Sequence, residues 1–324
     1  MKTDTSSISQ AQSYRAIGEF WDTHDVTDFW DATEPVEFEV DLMHFPTPDP
    51  TLNAVLAEFV TSQRSLLADN LLAVYLQGSF GVGDWDIHSD VDFLVAVEED
   101  IPDAQVAALE ALHRRVYALD SAWAKHLEGS YFPRALLKRL QAGSGPLLYL
   151  DNGSRDLIRS QHDNSQVVRW VTREHGIALA GPPATELIDP VSADDLRAEV
   201  AAVMRDWGEE IFAGRYSPDN RWAQPFAVLS YCRMLHTLES GRVLSKPAGA
   251  VWAQKTLDSR WHDLIRRAWA DRPNPSEKVY LPANPEEVTA TLDFIRYALS
   301  VSDVVAGGRW QVVGGRWQGA GSRW

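Results

Sequence analysis

Asp90 and Asp92 stand two residues apart at the mouth of an apolar run, Asp90-Val91-Asp92-Phe93-Leu94-Val95-Ala96-Val97, and this feature restricts what the chain can fold into more than any other. On a strand, side chains i and i+2 project to the same face, so both carboxylates stand together. Two such charges repel unless a cation sits between them, which makes the pair a divalent-metal site. A second apolar run, Leu72 to Leu76, precedes it and ends in Gln77-Gly78-Ser79-Phe80. Gly78 lets the backbone approach a phosphate closely. Ser79 offers a hydroxyl and an amide to phosphates at a helix N-terminus. Asp-x-Asp and Gly-Ser are each common at strand edges and turns. Apolar strand, Gly-Ser, fixed gap, Asp-x-Asp and a second apolar strand in succession are much rarer. Together they point to phosphoryl-type transfer, which asks a protein for positioning and charge neutralisation rather than covalent chemistry.

A third carboxylate is expected on a neighbouring strand. Lys125 to Phe132 reads as that strand, and it carries Glu128 in His126-Leu127-Glu128-Gly129-Ser130, 36 residues after Asp92 and past a helix. Glu128 would take the proton from an acceptor hydroxyl before it attacks the α-phosphorus, or would complete the metal shell. Gly81-Val82-Gly83 is not a dinucleotide fingerprint, because no third glycine falls in place and the flanking acids would repel pyrophosphate. His88 reads as a loop-shaping residue rather than a ligand.

The pattern along the chain gives an α+β protein in two parts. Thr51 caps a helix running to about Asp69, with Leu52, Val55, Leu56, Phe59 and Val60 on one face. A further helix covers about Pro102 to Leu119. Segment 143–165, with Gly143, Gly145, Pro146 and Gly153, reads as irregular. A helix at Val167–His175 stops at Gly176, and a strand follows at Ile177–Ala180. Asp189-Pro190 marks a boundary. Beyond it the pattern is helical, over roughly 192–213, 222–240, 247–256, 259–270 and 285–302. The expected division is an extension over 1–42, a mixed-sheet catalytic domain over 43–190, an all-α domain over 191–305 that binds substrate and nucleotide, and a disordered tail over 306–324. That tail repeats Gly/Ser-Arg-Trp three times without a period that could build a core.

The formal net charge of −16 argues against nucleic acid as a bulk partner, because phosphate backbones call for a basic surface. It suits a polycationic small molecule better, although acidity also serves solubility. Cys232 is the single cysteine, so no intrachain disulfide forms. The opening MKTDTSSISQ has no apolar h-region and no run of 18 apolar residues occurs, so no membrane partner is expected and a cytoplasmic location is.

Gly78-Ser79 with Asp90-x-Asp92 resembles the polymerase β-type nucleotidyltransferase superfamily. Residues 43–302, about four-fifths of the chain, resemble the aminoglycoside adenylyltransferases of the streptomycin/spectinomycin type. Gly78 to Val97, Leu127-Glu128, Arg173 to Pro182, Asp189-Pro190-Val191 and Arg233 through Trp252 carry that likeness. It implies a nucleotidyltransferase mixed-sheet domain followed by a helical domain, with ATP held in the cleft between them, Mg2+ on Asp90 and Asp92, and AMP passed to an aminoglycoside hydroxyl with release of pyrophosphate. It also implies that Arg233 and Lys246 meet the triphosphate and that Trp269 stands where the family has an aromatic near the nucleotide. Arg233 is a lone cation in an otherwise apolar helix, as charge compensation for ATP would require. Two departures concern the acceptor. The family's tryptophan in a Gly-Glu-Trp stretch is missing from Leu148-Tyr149-Leu150-Asp151-Asn152-Gly153. Its acidic residue before the arginine helix is missing from Arg221-Trp222-Ala223-Gln224-Pro225, with Asp219 only nearby. A different hydroxylated acceptor is therefore an open alternative.

Residues 1–42 stand apart from that likeness. They contain the near-repeat Phe20-Trp21-Asp22-Thr23 and Phe29-Trp30-Asp31-Ala32-Thr33, then a strand-like Val36–Leu42. This stretch resembles a segment of CopG-like antitoxins, which implies a protein partner for residues 1–42 and a second reading of the chain as a toxin–antitoxin component. An inert acidic extension explains it equally well.

Overall fold

The computed structural model describes residues 20, 22–25, 28–29, 46–273, 279–306, 310–313 and 316–319. The chain divides into two compact units, Met1–His44 and Phe45–Trp324. In the first, the Phe20 ring stacks on His24 at 4.1 Å between centroids and tilts against Phe29 at 5.6 Å. The strand expected at Val36–Leu42 and the tryptophans of the near-repeat lie outside the described residues.

The second unit opens with α1 (Pro50–Leu67). Its cap is Asp49 rather than the expected Thr51: Asp49 Oδ1 accepts from the Thr51 and Leu52 amides at 2.8 and 3.0 Å. Pro50 takes the first helical position, which suits a residue without an N–H and moves the cap upstream. Next come β1 (Leu71–Leu76), α2 (Gly78–Gly81), β2 (Val91–Val97), α3 (Asp103–Tyr117), β3 (Leu127–Pro133) and α4 (Arg134–Lys138). They are followed by β4 (Leu147–Leu150), β5 (Leu157–Ser160), α5 (Gln166–His175), β6 (Ile177–Ala180) and α6 (Ala184–Leu187). The sheet order is β5-β4-β3-β2-β1-β6. Only β2 and β3 run parallel among these pairs, with α3 as the crossover that a parallel pair requires. The segment expected to be irregular, 143–165, instead supplies β4 and β5. Both have only four residues, and so short a run gives period-2 alternation little room to show.

One face of the sheet packs on α1 and α3 through Phe59, Val74, Leu76, Phe93, Val95, Leu109 and Leu112. The helical part comprises α7 (Ala193–Phe212), α8 (Ala223–Ser240), α9 (Lys246–Thr256), α10 (His262–Ala270) and α11 (Pro285–Ala306). Helix α8 is at its centre and packs on the other four. Tyr231, Cys232 and Leu235 of α8 share a core with Met204, Ile265 and Phe294. Ser192 caps α7 by accepting from the Asp195 amide, and α8 ends on Gly241 in the left-handed region (φ 67°). No described helix is long and apolar enough to cross a membrane. In the tail, where disorder is expected, β7 (Trp310–Val313) pairs antiparallel with β8 (Arg316–Gly319). Trp310, Val312, Val313 and Trp317 favour strands, though a lone hairpin is marginal by itself.

Candidate active site

The end of β1 and the start of β2 are joined by backbone. The Gln77 amide donates to the Asp92 carbonyl at 2.8 Å, which fixes where β1 hands over to the Gly78–Ser79 turn. Gly78 has φ +60°, a conformation that L side chains rarely adopt. A Cβ there would also fall 1.9 Å from Asp92 Oδ2 and 2.6 Å from its Cγ. The turn is thus pressed onto the Asp92 carboxylate, and only glycine permits the contact. Ser79 follows within α2. Its Oγ is buried and has no hydrogen-bond partner among the described residues. An orphaned buried hydroxyl costs free energy, which a phosphate oxygen arriving at the turn would recover.

Asp90 sits just before β2 and Asp92 within it. Asp92 is paired in register with Glu128 of β3. Burial drives the Asp92 carboxyl well above the ordinary carboxylate range; Glu128, Asp90 and Asp163 push it the same way, and Lys246 pulls it back. Glu128 is raised to about 7, first by burial and then by Asp90, Asp163 and Asp151, against a hydrogen bond from Tyr149. Among the described residues, no three His, Cys, Asp or Glu side chains form a ready cage for a metal ion. Magnesium asks for less: one or two carboxylates, with substrate phosphates and water filling the octahedron. Crowded carboxylates beside an unpartnered hydroxyl fit that requirement.

Two cations face these acids from the helical side. Lys246 opens α9, whose cap is Ser245. Burial and then the Arg233 charge lower the Lys246 pKa, while Asp90 and Asp92 raise it. Arg233 is likewise lowered by burial and raised by Asp92. Its Nε donates to the Leu244 carbonyl at 2.8 Å. A Cβ on Gly249 would meet Arg233 Cγ at 2.8 Å, so α9 can lie this close to the arginine only with glycine there. The structure therefore brings Gly78, Ser79, Asp90, Asp92, Glu128, Arg233 and Lys246 into one neighbourhood. Trp269 packs on the helical core, with the Arg272 guanidinium 5.2 Å from its ring centroid. His88 shapes its loop through its backbone, the amide donating to Asp86 Oδ1 at 2.8 Å.

Sequence reasoning missed a layer on the far side of the carboxylates. Tyr149 Oη donates to Glu128 Oε1 at 2.6 Å and lies 3.3 Å from Asp151 Oδ1. Asn152 Nδ2 donates to Asp90 Oδ1. Asp163 is buried and accepts from Ser130 Oγ at 2.8 Å. His162 Nε2 lies 3.6 Å from Glu128 Oε1. The one signal in the sequence is the i, i+2 spacing of Tyr149 on β4 and Asp151 just past its end, which favours one face.

Residues 186–297 match the family model of the aminoglycoside adenylyltransferase C-terminal domain. The aminoglycoside (3'') (9) adenylyltransferase of Klebsiella pneumoniae is 25% identical over 230 residues, covering 66% of this chain and 82% of the relative. The chain resembles aminoglycoside adenylyltransferases over these stretches and is a nucleotidyltransferase. Spectinomycin 9-adenylyltransferase of Staphylococcus aureus is 23% identical over 218 residues, covering 62% of this chain and 78% of that one. In architecture the nucleotidyltransferase matches the crystal structure of spectinomycin adenyltransferase AAD(9) from Enterococcus faecialis with ATP and spectinomycin. That match has a TM-score of 0.58 and 16% identity, over 76% of this chain and 98% of the other. The mixed sheet followed by helices is thus a fold this nucleotidyltransferase shares with that structure. The stretch 148–153 supplies Tyr149 to Glu128 and Asn152 to Asp90.

Proposed function

We propose that this chain is a magnesium-dependent adenylyltransferase that moves AMP from ATP to a hydroxyl of a cationic, aminoglycoside-type acceptor and releases pyrophosphate. The observation that carries this reading is the contact of the Gly78 turn with Asp92, which is itself registered against Glu128 and faced by Lys246 and Arg233. The catalytic part would be 43–190 and the helical part 191–305. Asp90 and Asp92 would hold Mg2+, which when bound neutralises phosphate charge as a Lewis acid. The Gly78–Ser79 turn, Arg233 and Lys246 would grip the triphosphate and favour the charge that grows on the departing pyrophosphate. Glu128, pinned through one oxygen by Tyr149, keeps the other for the acceptor hydroxyl and removes its proton as the oxygen attacks the α-phosphorus.

Glu128 and Asp163, little exposed, with Asp151 exposed beside them, favour an acceptor carrying amines or guanidines, since carboxylates withdrawn from water call for cationic partners. The relatives reported above are named aminoglycoside or spectinomycin adenylyltransferases, and they lend no support to the toxin–antitoxin reading. The test is a pyrophosphate-release screen with ATP and Mg2+ across aminoglycosides, spectinomycin and uncharged polyols, with Asp92→Asn as the blank. Release that depends on a cationic acceptor is expected. Release only with uncharged polyols would overturn the acceptor class, and none with any acceptor would overturn the reading itself.

A further inference from the structure

The loop between α2 and β2, which delivers Asp90 to the site, is tied to the helical part at two points. Ser245 Oγ donates to Asp84 Oδ2. Ser245 is the cap of α9, so this contact lies one residue from Lys246. Arg272, just past α10, places Nη1 on Asp86 Oδ2 and Nη2 3.4 Å from Ser89 Oγ. Ser89 is the residue before Asp90. The Arg272 side chain is only 10% exposed, and its charge is felt at Lys246. The loop also has internal order that the tie can act on. The Asp86 amide donates to Ser89 Oγ at 2.9 Å, and the Ser89 amide donates to the Asp86 carbonyl at 3.0 Å.

We infer that Arg272 is a positioning residue for the catalytic centre: by clasping Asp86 and Ser89 it sets where Asp90 stands relative to Lys246 and Arg233. A buried guanidinium without its carboxylate is strongly unfavourable, so the pair holds a defined geometry rather than a loose surface contact. The groups it aligns belong to opposite sides of the site, the acids on the loop and strand and the cations on α8 and α9. A phosphoryl centre in which these drift by about 1 Å loses rate on the order of 10²-fold. This role rests on the adenylyltransferase reading.

The test is a double-mutant cycle on the full chain with Asp86→Asn, Arg272→Ala and both together. Asp86→Asn keeps an acceptor for the His88 amide and removes the charge that Arg272 meets. Each single change is expected to lower kcat by about 10- to 100-fold, with the KM for ATP moving less than about threefold. The double variant should be no worse than the poorer single, because both remove one contact. Arg272→Lys should recover part of the loss. Independently of turnover, amide hydrogen exchange across residues 84–91 of the ligand-free protein should quicken in all three variants of the cycle. Multiplying effects, or unchanged exchange, would overturn the inference. So would an ATP KM raised about tenfold by Arg272→Ala alone, which would make Arg272 a nucleotide contact. If Arg272→Ala does not fold, Asp86→Asn and the exchange measurement decide the matter. If the wild-type chain transfers AMP to no acceptor, the reading of its function fails while the exchange result still judges the clasp.

Discussion

The sheet half and the helical half supply the same centre by different means. In the sheet half, position is set by backbone. Asp92 and Glu128 are register partners, Gln77 bonds to the Asp92 carbonyl, and Gly78 rests on the Asp92 carboxylate. In the helical half, position is set by side-chain seats. Arg233 is held through the Leu244 carbonyl and the gap at Gly249, and Lys246 through the cap of α9. A carboxylate that must meet a metal or a particular proton tolerates little displacement, whereas a long cation answering phosphate charge tolerates more. Changes to the sheet-half acids and the Gly78 turn should therefore act through kcat, and changes to the cations Arg233 and Lys246 through ATP binding.

The largest effects should therefore come from the Gly78–Asp92 contact. Asp92→Asn removes a proposed metal ligand without changing shape and should cost about 10⁴-fold or more in turnover. Gly78→Ala should do nearly as much without removing any carboxylate, because its Cβ cannot coexist with Asp92 Oδ2 and must displace it. Pyrophosphate release measures both. A Gly78→Ala protein with near-normal turnover would show that the turn yields and that backbone does not set the site.

Glu128→Gln comes next, with an expected loss of about 10²- to 10⁴-fold if Glu128 takes the proton. The sign of the pH dependence follows from burial raising its pKa to about 7. A base must be ionised, so kcat/KM should climb as pH rises toward about 7 and level off above it. Tyr149→Phe removes a hydrogen bond that holds this pKa down, so the rising limb should move to higher pH. A limb that stays put would mean that Tyr149 only packs against Glu128.

On the helical side, Lys246→Met should weaken ATP by about 10- to 100-fold with a smaller change in kcat, read by calorimetric titration of ATP beside initial rates. The opposite split, with kcat lost and binding kept, would break the contrast between the halves.

What the sequence disclosed follows the same line. Gly78-Ser79 and Asp90-x-Asp92 were legible because backbone-set geometry leaves its mark in local spacing, and Glu128 because a parallel crossover has a characteristic length. Arg233 and Lys246 came forward through resemblance, since side-chain seats leave no spacing rule. Tyr149 and Asn152 went unseen because they reach the acids from β4 and the turn after it, too short a strand to alternate visibly. Arg272 gave no signal, as its partner Asp86 lies 186 residues away.

The smallest effect concerns stability and separates the halves by acid. His113 is buried in the sheet half between Phe59 and Phe93, with Nε2 2.8 Å from Tyr131 Oη. Gln63 Nε2 already donates to that oxygen at 2.6 Å, so the Tyr131 proton points at His113 Nε2, which must be the unprotonated acceptor. Burial lowers the His113 pKa from 6.5 to about 3. The unfolded chain gains a proton near pH 6.5 and the folded chain does not. The contribution is therefore complete above about pH 6.5 and shrinks as pH falls toward 3, by about 2 kcal/mol between pH 7 and 5. Hydrogen exchange at these pH values should show β2 and β3 losing protection before α8 does. In His113→Gln, which keeps an acceptor for Tyr131 and cannot be protonated, that acid-dependent difference should largely vanish. Equal loss in both halves would place the acid sensitivity outside His113.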